Sequence, residues 1–336
     1  MQHRIFIAIL MFKFTIEGSV AITKDQVKEI KKDIVELIEA NRDPKDGALH
    51  FIPGFVRVAF HDCVGGCDGC LNHSDENNAG LSVYVGPLET IYLKYKTLLS
   101  RADFWQLAGI TAIERSVEKC KDCIKPDLPF ETGRKDCKDS PNYTGDPRSF
   151  PMNAGHGDIN NALTFMEEAF GLPRNEPELA TALIGAHTLG EAHREHSGWE
   201  GIWTETPDQL SNRYYKSLVK QKWSQINLNQ GDPRKDPVWQ WQPGKKLTTT
   251  KARYLKKRKE KIMMLNTDMA FAKKLSPDAT GEAICKVSSK CKAQPETAEW
   301  VLKYANDAKL WEKNFAIAYM RMIRTGYKDG DLTLVK

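Results

Sequence analysis

Val56-Arg57-Val58-Ala59-Phe60-His61-Asp62-Cys63 is the stretch from which the rest of the chain is read. As a helix, it sets Arg57 and His61 one turn apart on the same face. A base and a fixed cation at that spacing address one small ligand together. Such a pair can serve a peroxide, His61 as the base that would remove a proton and Arg57 as the cation that would steady the charge developing as the O–O bond breaks. Alone, an Arg and a His four apart more often form an exposed pair, so the reading needs a second segment.

Leu183-Ile184-Gly185-Ala186-His187-Thr188-Leu189-Gly190 supplies it. An apolar helical turn carries His187 among small residues, which let a flat macrocycle approach closely, and a His in that setting can be an axial haem ligand. The plainer alternative for this segment alone is a hydrogen-bonded core histidine.

Around these segments helical periodicity dominates. Val27, Ile30, Ile34, Leu37 and Ile38 form an apolar stripe. Similar patterns follow Asp103 and Asp158, each near a helix start. Val301, Tyr304, Ala305, Ala308, Trp311, Phe315, Tyr319 and Met322 extend one face over six turns. Strand alternation is scarce, so the fold class is mainly α. The 336 residues, 41% hydrophobic and 28% charged, can bury a sizeable core, which excludes a disordered or collagen-like chain. The segment 122–153, rich in Pro, Asp and Cys, divides two helical halves, 22–150 and 151–336. The net charge of +5 implies neither nucleic acid nor a membrane surface, and no later stretch is long and apolar enough to span a bilayer. Lys245 to Lys261 holds nine basic residues and reads as a solvated face, with a site for an acidic partner as the sharper alternative.

Residues 1–21 read as a secretory signal peptide. His3 and Arg4 precede an apolar run, and Ser19 and Ala21 stand before the cut. All eight cysteines lie beyond it, an even count that favours disulfides in an exported chain. Cys285 with Cys291 is the one pairing the spacing picks out. The others stay unassigned, and zinc is the rival at Cys67-x-x-Cys70 and Cys120-x-x-Cys123. The sequons at Asn72 and Asn142 agree with a secreted glycoprotein.

In this order, and about 126 residues apart, the His61 and His187 segments resemble the distal and proximal signatures of the plant, fungal and bacterial haem peroxidase superfamily. Asp75-Glu-Asn-Asn78-Ala79-Gly80-Leu81, Ala102-Asp103-Phe-Trp-Gln-Leu-Ala-Gly109 and Leu128-Pro-Phe-Glu-Thr-Gly133-Arg134 look like its distal half. The run from His193 to Trp203, Met263-Met-Leu-Asn-Thr267-Asp268 and Lys303-Tyr-Ala-Asn-Asp307 resemble its intracellular branch, which includes cytochrome c and ascorbate peroxidases. The resemblance implies a two-domain helical fold with haem b between the domains. Asn78 would orient His61, Phe60 would pack over the haem, and His187 would bind the iron with Asp268 as its carboxylate partner. Trp203 would lie beside the axial imidazole, as a radical site or as simple packing.

Some positions depart from that branch. Phe60 stands where intracellular members carry Trp and resembles the secreted branches. Asp62, Gly66 and Asp68 fit the pattern of a distal calcium, but Cys70 replaces a Ser ligand: either the ion is lost or a disulfide from Cys70 braces the loop instead. Thr188, Thr204 and Thr206 resemble proximal cation ligands, with Ser211 in place of the usual Asp. His196 occupies the position of the Arg that helps ascorbate peroxidases bind ascorbate. The expectation is a secreted haem peroxidase that reduces hydrogen peroxide and oxidises phenols or protein tyrosines by one-electron steps. Cytochrome c is set aside as belonging to another compartment. The rivals are a catalytically silent extracellular matrix protein that keeps the fold, and a halide-oxidising specialist.

Overall fold

Val27, Ile30, Ile34 and Ile38 all turn inward from the first helix, α1 (Lys24–Ala40), as their spacing predicts. Thr23 starts it with a capping box: its hydroxyl accepts the Gln26 N–H while the Gln26 side chain accepts the Thr23 N–H. The computed structural model describes residues 21–118, 120, 123–143, 150, 155–232, 234–244 and 262–336. The signal-peptide reading, except for Ala21, and the basic run 245–261 therefore lie outside the described residues, as does part of the 122–153 boundary.

The next helix, α2 (Phe51–Cys63), carries Arg57 and His61 and is buried along most of its length. It packs between α3 (Ser82–Tyr95) and the almost wholly buried α4 (Arg101–Val117), which Ser100 caps by accepting the Asp103 N–H. Contact between α2 and α4 requires Gly109. A Cβ there would stand 2.7 Å from the Ala59 Cβ and 2.6 Å from the Tyr319 hydroxyl. Asp158 starts α5 (Ile159–Phe170) with a second capping box, closed by Gly171 in the left-handed region at φ 62°.

The short α6 (Pro177–Leu183) runs directly into a 3-10 turn, Ile184–Thr188, that presents His187. Small elements follow: β2 (Glu191–Ala192), α7 (Arg194–Ser197), β3 (Gly201–Ile202) and α8 (Arg213–Lys220). An antiparallel hairpin of β4 (Trp223–Asn227) and β5 (Trp239–Pro243) leads towards α9 (Asn266–Ala272), which bears Asp268. The expected six-turn stripe is two helices, α10 (Ala298–Asn306) and α11 (Ala308–Met322). Asp307 breaks it. The residue is extended, and its carboxylate accepts the Leu310 N–H as the cap of α11. Periodicity cannot detect that break, because the apolar face is nearly in phase on both sides.

The last residues return to the first half. β1 (Glu131–Thr132) pairs antiparallel with β6 (Thr333–Leu334). Arg134 donates to the Ile323 carbonyl at 3.0 and 2.7 Å and to Asp103 at 2.9 Å. Arg134 and Asp103 are both buried, and burial raises the Asp103 pKa although the guanidinium opposes it. Four disulfides join Cys63 to Cys67, Cys70 to Cys137, Cys120 to Cys123 and Cys285 to Cys291. The Cys285 pairing is the one expected, and disulfides hold both sulfur pairs that zinc would have claimed. Arg134→Leu leaves the Asp103 carboxylate buried without its cation and is expected to cost about 3–5 kcal/mol, read by urea unfolding. A loss below about 1 kcal/mol would show that the pair merely offsets its own desolvation.

Candidate active site

His61 is 7% exposed, and its Nδ1 lies 2.8 Å from the Asn78 Oδ1. The Asn78 amide is oriented by its other end, where Nδ2 donates to the Asn72 carbonyl at 2.9 Å. Its Oδ1 must therefore accept, so the His61 proton sits on Nδ1 and Nε2 keeps its lone pair. Burial, reinforced by the nearby Arg57 charge and only partly offset by Asn78, lowers the His61 pKa from 6.5 to about 3. The imidazole is a neutral base at physiological pH.

Arg57 is fixed by the same loop. Its guanidinium donates to the Ala79 carbonyl at 2.9 Å and the Asn77 carbonyl at 2.8 Å, and burial lowers its pKa. Asp75 holds that loop by accepting the Asn77 N–H at 2.8 Å. Partly buried aromatic rings surround the base. Phe60 lies 5.4 Å from the His61 ring and 5.2 Å from Phe170, and Phe150 lies 4.8 Å from His61.

The second imidazole is organised by one carboxylate. Asp268, fully buried, accepts from His187 Nδ1 at 2.7 Å, Tyr214 Oη at 2.8 Å, Trp203 Nε1 at 2.8 Å and the Leu265 N–H at 2.7 Å. Nδ1 of His187 is thus committed, so Nε2 is the nitrogen that would be available to a metal. Trp203 lies against the ring, with centroids 4.6 Å apart. Burial, with the Asp268 charge adding to it, raises the Tyr214 pKa well above its usual value.

The expected cation ligands are otherwise engaged. Asp62 Oδ1 accepts the Gly69 and Cys70 N–H groups, and Oδ2 accepts Gln106 Nε2 at 2.9 Å. The Asp68 carbonyl accepts the Cys137 N–H, and Gly66 lies in the same turn at φ 128°. The Cys70–Cys137 disulfide closes this loop, the alternative to a distal calcium at Asp62, Gly66 and Asp68 that the sequence left open. On the proximal side Thr204 donates to the Thr188 carbonyl at 2.9 Å. Arg213 donates to the Thr206 hydroxyl at 2.7 Å and the Gln209 side chain at 3.4 Å, so a built-in guanidinium supplies positive charge there. His196 packs on the distal loop, where a Cβ on Gly80 would stand 3.1 Å from its ring.

A family model described as peroxidase matches residues 30–307. The chain belongs to the peroxidase family. The chain is 29% identical over 325 residues to a mitochondrial cytochrome c peroxidase of Pyricularia oryzae, covering 92% of this chain and 74% of the relative. A second mitochondrial cytochrome c peroxidase, from Neurospora crassa, is 29% identical over 90% of this chain and 72% of its own length. A protein of Mycosarcoma maydis named as a heme-binding peroxidase is 30% identical over 89% of this chain and 79% of its own. These names overturn the expectation of secretion: the relatives point to mitochondria. The glycoprotein reading and the compartment argument against cytochrome c lose their basis with it.

For this peroxidase the residues fit the haem that the resemblance implies. The donor set is right, since a committed Nδ1 leaves His187 one nitrogen for iron. His187 is 34% exposed at its side chain while Asp268 behind it is sealed, so the ring is reachable on the side away from the carboxylate. Tyr214 was missed from the sequence. It is one of two adjacent tyrosines, and nothing in Tyr214-Tyr215 marks which reaches the carboxylate. Because its lowered pKa keeps His61 in the neutral form that a base requires, the rate constant for reaction with peroxide is expected to stay flat from about pH 8 to about pH 5 if His61 is that base. The same shift makes His61 favour folding above its unfolded pKa of 6.5, with that contribution lost as pH falls towards about 3. Stopped-flow rates that halve near pH 6.5 would contradict this.

Proposed function

We propose that the chain is a haem-dependent peroxidase of mitochondria that reduces hydrogen peroxide and takes the electrons singly from a donor. The observation that carries this reading is the pair of oppositely prepared imidazoles: Asn78 leaves His61 a free basic nitrogen, and Asp268 leaves His187 a free coordinating one. When bound, the haem supplies an iron that binds peroxide and stores oxidising equivalents.

His61 would hold one proton of the peroxide on Nε2 and return it to the oxygen that leaves as water, while the two electrons that this cleavage needs are what a bound haem would supply. Arg57, anchored on two carbonyls, directs its remaining N–H groups and charge at that leaving oxygen. Phe60 and Phe150 limit water around the base, and Asp268 gives the His187 ring anionic character that raises its basicity. The cofactor would seat between units 22–150 and 151–336.

Small aromatic donors, phenols included, would give up their electrons at the cleft edge. Cytochrome c is a second reading that one observation favours: Trp203 lies against His187 with its ring tilted by 33° and donates its indole N–H to the Asp268 carboxylate, which would stabilise positive charge on the ring.

After haem reconstitution, mixing with peroxide is expected to change the Soret band rapidly in the wild type and roughly three orders of magnitude more slowly in His61→Leu. Equal rates would remove His61 from the chemistry, and no Soret band at all would favour a silent structural protein. Trp203→Phe is expected to lower turnover with reduced cytochrome c at least about tenfold while sparing a phenol. Equal losses with both would reduce Trp203 to packing.

A further inference from the structure

We propose that Tyr214 tunes the iron site: by donating to the same Asp268 oxygen that holds His187, it limits the negative charge that the carboxylate passes to the axial imidazole. This role rests on the reading of His187 as the iron ligand. Tyr214 acts through Asp268, so it is a positioning residue for the reaction.

The four donors on Asp268 fall two to each oxygen. Oδ2 accepts the Trp203 indole N–H at 2.8 Å and the Leu265 N–H at 2.7 Å. Oδ1 accepts His187 Nδ1 at 2.7 Å and the Tyr214 hydroxyl at 2.8 Å. A carboxylate oxygen offers two lone pairs, so Oδ1 is fully shared, and Tyr214 is the donor that competes with His187 for one atom. Two donors on one oxygen weaken each other, because each draws on the electron density that the other needs.

The hydroxyl is held in this position. Tyr214 is 0% exposed, so bulk water cannot take its place on the carboxylate. Its ring stands edge-on to Tyr215, with centroids 5.0 Å apart and planes at 84°. Tyr215 is anchored in turn on the Thr181 and Ala182 carbonyls of α6. Asn212, the residue before α8, donates to the Tyr304 carbonyl of α10 at 2.8 Å. Helix α8 therefore cannot back away from Asp268 without breaking bonds to two other helices.

A carboxylate that takes more of the Nδ1 proton leaves the imidazole more anionic, and an anionic ligand favours the more oxidised iron. The Tyr214 bond opposes that transfer. It therefore raises the ferric–ferrous potential above the value that an undivided Asp268–His187 pair would set. A haem held at a higher potential accepts electrons from donors that are harder to oxidise.

The test is spectroelectrochemical titration of the full-length haem-loaded protein, with the iron–histidine stretch of the ferrous form read by resonance Raman. Tyr214→Phe removes the hydroxyl and keeps the ring. It is expected to shift the reduction equilibrium towards the ferric form about three- to tenfold, a potential lower by about 30–60 mV, and to raise the iron–histidine frequency. In an Asp268→Asn background the same substitution is expected to move the equilibrium less than about twofold, because the carboxylate it acts on is gone. Tyr215→Phe removes the neighbouring hydroxyl and should lower the melting temperature while leaving the equilibrium within about twofold of the wild type. The proposal is overturned if Tyr214→Phe leaves the potential unchanged or raises it. It is also overturned if the effect is as large in the Asp268→Asn background, or if Tyr215→Phe matches it, since Tyr214 would then be packing. A wild type that takes up haem but fails these comparisons loses the tuning role alone, whereas a wild type with no Soret band loses the haem reading as well.

Discussion

A single buried carboxylate organises the proximal side of this peroxidase. Asp268 accepts from an imidazole, an indole, a phenol and a backbone amide, each from a different stretch of chain. A charge cannot be held out of water unless its lone pairs are met. Four donors meet them here, and the requirement runs both ways: burying Asp268 fixes where His187, Trp203 and Tyr214 must stand. The 3-10 turn after α6, the strand before Trp203 and the first turn of α8 are positioned by what the carboxylate needs.

The distal side reaches the opposite chemical result by the same kind of reasoning. Asn78 is neutral and is itself anchored by Asn72, so it fixes a tautomer without adding charge. Desolvation and Arg57 then act together to keep His61 unprotonated. One histidine is given an anion and the other is denied one. The two sides meet where Gly190, at φ 87°, donates to the Pro207 carbonyl and lies so close to Pro53 that a Cβ would stand 3.1 Å from it. That contact sets the loop after His187 against the first turn of α2.

At the two places where the family resemblance raised a cation as an alternative, other groups brace the chain. A disulfide closes the loop beside Asp62, and Arg213 supplies a cation beside Thr206. Both devices are always present, whereas a bound ion depends on its concentration.

The sequence by itself determined the mainly helical class and the Cys285–Cys291 disulfide, which are local features. It singled out His61 and His187 as candidates, and the family resemblance, not spacing, implied Asn78 and Asp268 as the partners that the structure places on them. Tertiary structure alone decided which of two adjacent tyrosines reaches Asp268, that Asp62 faces N–H donors, that Asp307 divides the last helical face, and which cysteines pair across 67 residues. Each of these depends on groups far apart in the chain, and local periodicity contains no term for such a contact. The expectation of secretion was corrected by relatives named as mitochondrial and not by the fold, because no packed residue records a compartment.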